Sequence, residues 1–76
     1  MRQADKEKLQ QLFEDSVAEL DRGATYDAIA FAERDEKDPQ TKQLLHEAAL
    51  SLMRAHLDKT QLERTRELLA SVAAED

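Results

Sequence analysis

Apolar residues along the chain recur at steps of three and four, the spacing that gathers them on one side of an α-helix. Leu9, Leu12, Phe13, Val17 and Leu20 form the first such stripe. Tyr26 and Ile29, set among the small Ala28, Ala30 and Ala32, form a second, and Phe31 falls on a different side from Ile29. Beyond residue 39 a single segment carries two stripes: Leu45, Ala48, Leu52 and Ala55 on one side, and Leu50, Met53 and Leu57 on another. Two stripes on one helix imply contact on two sides, with neighbouring helices or with a partner. No window of strand length alternates apolar with polar residues, so no strand is predicted.

Capping and breaking residues divide this pattern. The first helix is predicted from about Asp5, a side chain suited to an N-cap, to Arg22. Gly23 follows where a left-handed residue commonly ends a helix. The second is predicted from Thr25, as its cap, to Lys37, and its end, Glu33-Arg34-Asp35-Glu36-Lys37-Asp38, holds no apolar side chain and should be solvated. Asp38-Pro39 signals the third start: the aspartate caps, and proline takes the first helical position, where no N–H is needed. This helix is expected to reach Leu57. Thr60-Gln61-Leu62-Glu63 fits a capping box and predicts a fourth helix from residue 60 to Ala74. A competing reading joins the last two into one helix of about 35 residues, because positions 45, 48, 52, 55, 59, 62, 66, 69 and 73 keep a heptad rhythm. Lys59 and Arg66 on that seam favour the break. The expected fold is all-α, a small antiparallel three- or four-helix bundle, with residues 1–76 as a single domain.

Gly23, Tyr26, Ala28, Ile29 and Asp38-Pro39 are similar to the second helix and closing Asp-Pro of a tetratricopeptide unit. Tyr26 sits one place too close to Ala28, however, and Asp35 stands where that unit packs a small apolar residue. The similarity therefore extends to a helical hairpin and to no family.

Length and charge narrow what such a bundle does. A chain of 76 residues buries only about 60–65% of the surface its unfolded form exposes. A core this small comes out near break-even against chain entropy, so self-association or docking on a partner is expected. There is no cysteine, which rules out a disulfide framework and a thiolate metal site and suits a reducing compartment. Met1-Arg2-Gln3-Ala4-Asp5-Lys6-Glu7 is no signal sequence, and no apolar run has the roughly 18–20 residues that span a bilayer. The expected location is cytoplasmic. The net charge of −6 is uneven: residues 1–38 hold eleven acids against six bases, and residues 39–76 hold six against five. That balance argues against direct contact with nucleic acid or a membrane surface, and it admits a basic partner.

No catalytic, metal-binding or cofactor-binding residue is assigned. His46-Glu47-Ala48-Ala49-Leu50 opens like a zinc-protease motif, but leucine occupies the place of the second histidine. On one helix, His46 and His56 would point about 80° apart and lie about 15 Å apart along the axis, too far to share an ion. No glycine-bearing calcium loop is present. Ser16, Ser51 and Ser71 have no histidine at a natural distance, and the carboxylates diverge around their helices. The residues expected to touch a partner are Tyr26, Phe31, Leu50, Met53 and Leu57, because aromatic side chains and methionine make adaptable anchors. Glu33, Asp35 and Glu36 are expected to steer the approach electrostatically. The function expected is that of a non-enzymatic protein-binding module, an adaptor, chaperone or inhibitor of a larger protein, acting through an apolar helix face on a basic or apolar groove and forming a homo-oligomer. One alternative is an acidic nucleic-acid mimic that blocks a basic channel. Another is a self-assembling structural module. A third, a helix-turn-helix regulator touching DNA through Thr41, Lys42 and Gln43, has few bases to support it.

Overall fold

In the computed structural model, residues 2–19, 23–55 and 58–74 are described, Glu19 for its backbone only. They form four helices and no strand: α1 (Gln3–Glu19), α2 (Gly23–Asp35), α3 (Pro39–Met53) and α4 (Lys59–Ala74). Each helix packs on two others, in the cyclic order α1–α2–α3–α4–α1, and among the described residues the backbones do not approach closely across either diagonal. Helix α1 runs antiparallel to α2, and α3 to α4, as cross-links near their shared ends show: Ser16 to Thr25, and Ser51 to Gln61. The radius of gyration, 11.1 Å, matches the roughly 11 Å of a packed domain of this length. A joined α3–α4 rod does not form.

The core follows the apolar stripes. Leu9 and Phe13 from α1, Ile29 from α2, Leu45, Ala48, Ala49 and Leu52 from α3, and Leu68, Leu69 and Val72 from α4 close on one another. The first stripe of α3 is the buried one, with Ala55 continuing it beyond the helix end. Hydroxyls complete the interior: Ser16, Thr25, Thr41, Ser51 and Thr65 are all buried. Among the described residues no buried side-chain nitrogen or oxygen lacks a partner, as burial of polar groups demands.

Helix boundaries show where local signals were used differently. Asp5 is not a cap: α1 already runs from Gln3, the Asp5 N–H bonds to the Arg2 carbonyl at 3.1 Å, and its carboxylate lies in the first turn, at the positive end of the helix dipole. Gly23 does not terminate α1. It is the first residue of α2, which puts Thr25 inside that helix. Thr25 is fully buried and donates to the Leu12 carbonyl at 3.2 Å. Having spent its one proton there, it accepts from the Ser16 hydroxyl. The side chain expected to cap α2 instead ties it to α1. Helix α2 stops at Asp35 rather than Lys37, because the Glu36 carboxylate takes the backbone N–H groups of Lys37 (3.1 Å) and Asp38 (3.2 Å).

The Asp38-Pro39 signal forms as expected. Asp38 sits in extended backbone and accepts from the Thr41 N–H at 2.9 Å and the Thr41 hydroxyl at 2.8 Å, with Pro39 opening the helix. Helix α3 ends at Met53, short of Leu57, as the N–H groups of Arg54 and Ala55 turn back to the carbonyls of Leu50 and Leu52. His56 and Leu57 lie outside the described residues, as do Leu20 and Arg22. Helix α4 is capped by Asp58, which accepts the Thr60 N–H at 2.9 Å, so Thr60 is helical and not the cap. Gln61 is taken by tertiary structure: its carbonyl and side-chain oxygens both accept from Ser51 Oγ, at 3.1 and 3.2 Å. Among the described residues no helix is long and apolar enough to cross a membrane.

Candidate docking surface

The α1–α2 seam is the least extensive of the four, and its sequence explains why. At one end the small, hydrogen-bonded Ser16 and Thr25 hold the helices together. Towards the other end α2 presents Ala28 and Ala32 to Leu9 and Leu12 of α1, and two methyl groups are too short to fill the space between the backbones. The result is an open groove of about 660 Å³. Leu9, Leu12, Ala28 and Ala32 form its floor, Phe31 stands at its lip, and Asp5 faces Asp35 and Glu36 at its open end, with Lys8 and Lys37 beside them.

Phe31 is 60% exposed, although it sits in a well-formed helix whose Ile29 is fully buried. The Arg34 guanidinium lies over its ring, 5.1 Å from the centroid, within cation–π range. Met53, 58% exposed, ends α3 outside this groove, with Leu50 half-buried one turn before it. Tyr26 packs against the core, so burial already accounts for most of it. The structure thus brings Phe31 together with Asp35 and Glu36 and leaves Leu50 and Met53 as a separate face. Leu57, assigned to that face, lies outside the described residues.

The three steering acids have different surroundings. Glu33 is half-buried and its Oε1 lies 2.7 Å from Nδ1 of His46, linking α2 to α3. Asp35 is exposed on the groove wall. Burial pushes the Glu36 carboxyl up, but hydrogen bonds, that from the Asp38 N–H first among them, together with nearby positive charge outweigh it, and the group ends below its ordinary value. It therefore stays charged in the wall.

A second depression, of about 490 Å³, lies between α1 and α4. It is bridged by the forked pair of Arg66 and Glu14, at 2.8 and 3.2 Å, with Arg66 also 5.9 Å from the Phe13 ring. The hydrogen bonds that Arg66 donates to Glu14, and the attraction of that carboxylate, hold the guanidinium pKa above its ordinary value. Among the described residues no three His, Cys, Asp or Glu side chains converge as a metal site would require.

Sequence reasoning placed Phe31 but missed the groove beneath it. The signal was present in the alanines at positions 28 and 32, one turn apart, opposite leucines on the preceding helix. It also missed Lys6, which is 1% exposed and has a partner of its own. Comparison of the chain with models of known protein families, with curated proteins and with solved structures finds no match.

Proposed function

We propose that this chain is a small, cytoplasmic, non-enzymatic protein-binding module that docks through an apolar helix face. The observation that carries the reading is Phe31, a large aromatic left 60% exposed beside an open apolar floor while the core behind it is closed. Covering the rest of such a ring on a partner contributes roughly 1–2 kcal/mol, since full burial of a phenylalanine is worth about 1.5–3 kcal/mol. The exposed Met53 offers a second, smaller contact.

Nucleic-acid mimicry draws less support, because several of the acids in residues 1–38 already serve within the bundle. Glu14 is forked to Arg66, Glu33 lies against His46, Glu36 binds backbone, and Asp38 caps α3. The test is capture from a nuclease-treated lysate of the source cells, comparing the tagged wild-type chain with Phe31→Ala. The expected result is one stoichiometric protein that the variant loses. Recovery of only the bait's own chains would move the reading to self-assembly. A nucleic-acid-binding protein lost on charge reversal at Asp35 and Glu36, but kept by Phe31→Ala, would move it to mimicry.

A further inference from the structure

We infer that the occupant of the α1–α2 groove is a basic amphipathic helix of a different protein, laid between Phe31 and the floor leucines. The inference rests on the docking reading above and adds to it the site and the chemistry of the partner. Shape gives the first argument. The groove runs from Asp5 to Leu12 along α1, about two helical turns or 11 Å. At about 660 Å³ it lies within the roughly 300–1,000 Å³ of a ligand site and suits the successive anchor residues of one helix.

Charge gives the second. On α2, Asp27, Phe31 and Asp35 follow one another at intervals of four, so the aromatic stands on one stripe between two acids. All three are exposed. Asp5 adds a third carboxylate at the open end, and Glu36, although the N–H groups of Lys37 and Asp38 already bind it, adds a fourth negative charge there. Lys8, Arg34 and Lys37 offset three of these four charges, and the wider balance sets the sign: residues 1–38, which include both groove helices, carry eleven acids against six bases. A helix with lysines or arginines flanking an apolar stripe meets that rim favourably. A second copy of this chain, itself at −6, brings like charge to like.

The probe is a blocked peptide of about 14 residues with leucines at helical spacing and lysines on the flanks, compared with the same peptide carrying glutamate for lysine. Titration is followed by amide shifts of the labelled protein. The lysine peptide is expected to perturb Leu9, Leu12, Ala28, Phe31 and Ala32, and the glutamate peptide to leave them unchanged. Phe31→Ser, and separately Asp27→Lys with Asp35→Lys, are expected to weaken binding roughly tenfold or more, as loss of an anchor does. Met53→Ser should bind as wild type. Phe31 and both aspartates are exposed, so these variants are expected to fold, and the amide spectrum of each shows whether it has.

The inference is overturned if both peptides bind equally or neither binds. It is also overturned if sedimentation shows a dimer that Phe31→Ser dissociates. If the perturbations map to Leu50 and Met53, the groove is the wrong site while the docking reading stands. That reading falls separately, if lysate capture returns only the bait.

Discussion

Thr25 shows how a residue's local chemistry is overruled by its neighbours in space. A threonine two places after a glycine fits an N-cap, yet its hydroxyl is buried against Ser16 and the Leu12 carbonyl. Nothing in the segment 23–26 reveals that a second helix supplies those partners. The arrangement makes a non-additive prediction. Thr25→Val preserves shape but leaves the buried Ser16 hydroxyl without its acceptor, at a cost of about 1–3 kcal/mol. Adding Ser16→Ala removes the orphan, so the double variant should recover part of that loss. Urea unfolding of the two single variants and the double variant measures the coupling, and strict additivity would refute the pairing. Phe31 was legible for the opposite reason. Its exposure follows from its angle to Ile29 on one helix and depends on no distant residue.

Helix boundaries were readable where cap and capped groups lie within one turn. Asp38-Pro39 is such a case, because the aspartate, the proline and Thr41 make all the relevant contacts among themselves. The α3–α4 break was legible, but its cap was not. Asp58 takes that role through the Thr60 N–H, two residues before the start that the Thr60 capping box marked, so here a second local cap, and not a tertiary bond, displaced the expected one. Asp38 also gives a pH signature. The backbone N–H and then the hydroxyl of Thr41 hold its carboxyl below the ordinary value of 3.8. A depressed folded-state value means the stabilisation is fully present above about pH 5 and is lost as pH falls through the folded pKa. Asp38→Asn keeps an acceptor and cannot titrate. The melting temperature of wild type relative to Asp38→Asn should therefore be constant near neutrality and fall as pH drops below 4. A difference independent of pH would show that the charge of this cap is immaterial.

For the whole molecule, the bundle was legible from its stripes and the groove was not, because a groove belongs to two helices and depends on what each fails to fill. The division of α3 into a core stripe and an outer stripe makes a paired test. Leu45 is fully buried and Met53 is 58% exposed. Leu45→Ala should cost roughly 2–5 kcal/mol, out of a total of about 4–11 kcal/mol for a chain this size. Its melting temperature should fall by about 10 °C or more. Met53→Ala, away from the core, should change stability by no more than about 0.5 kcal/mol. Equal losses at the two positions would mean that Met53 is covered in solution, as in a self-assembled form.

The uneven seams also set an order of opening. The α3–α4 seam is the most extensive and α1–α2 the least, so the ring parts most readily along α1–α2, at the Asp5 end away from the Ser16–Thr25 bond. Amide hydrogens report such sub-global opening directly. Exchange with deuterium should be slowest at Leu45, Ala48, Leu52, Leu68 and Leu69, and fastest along the Asp5 end of α1. A helix seated on that seam would slow exchange there first, many residues from the slow-exchanging α3–α4 pair. The weakest joint of the free protein would then be the one most strengthened by its partner.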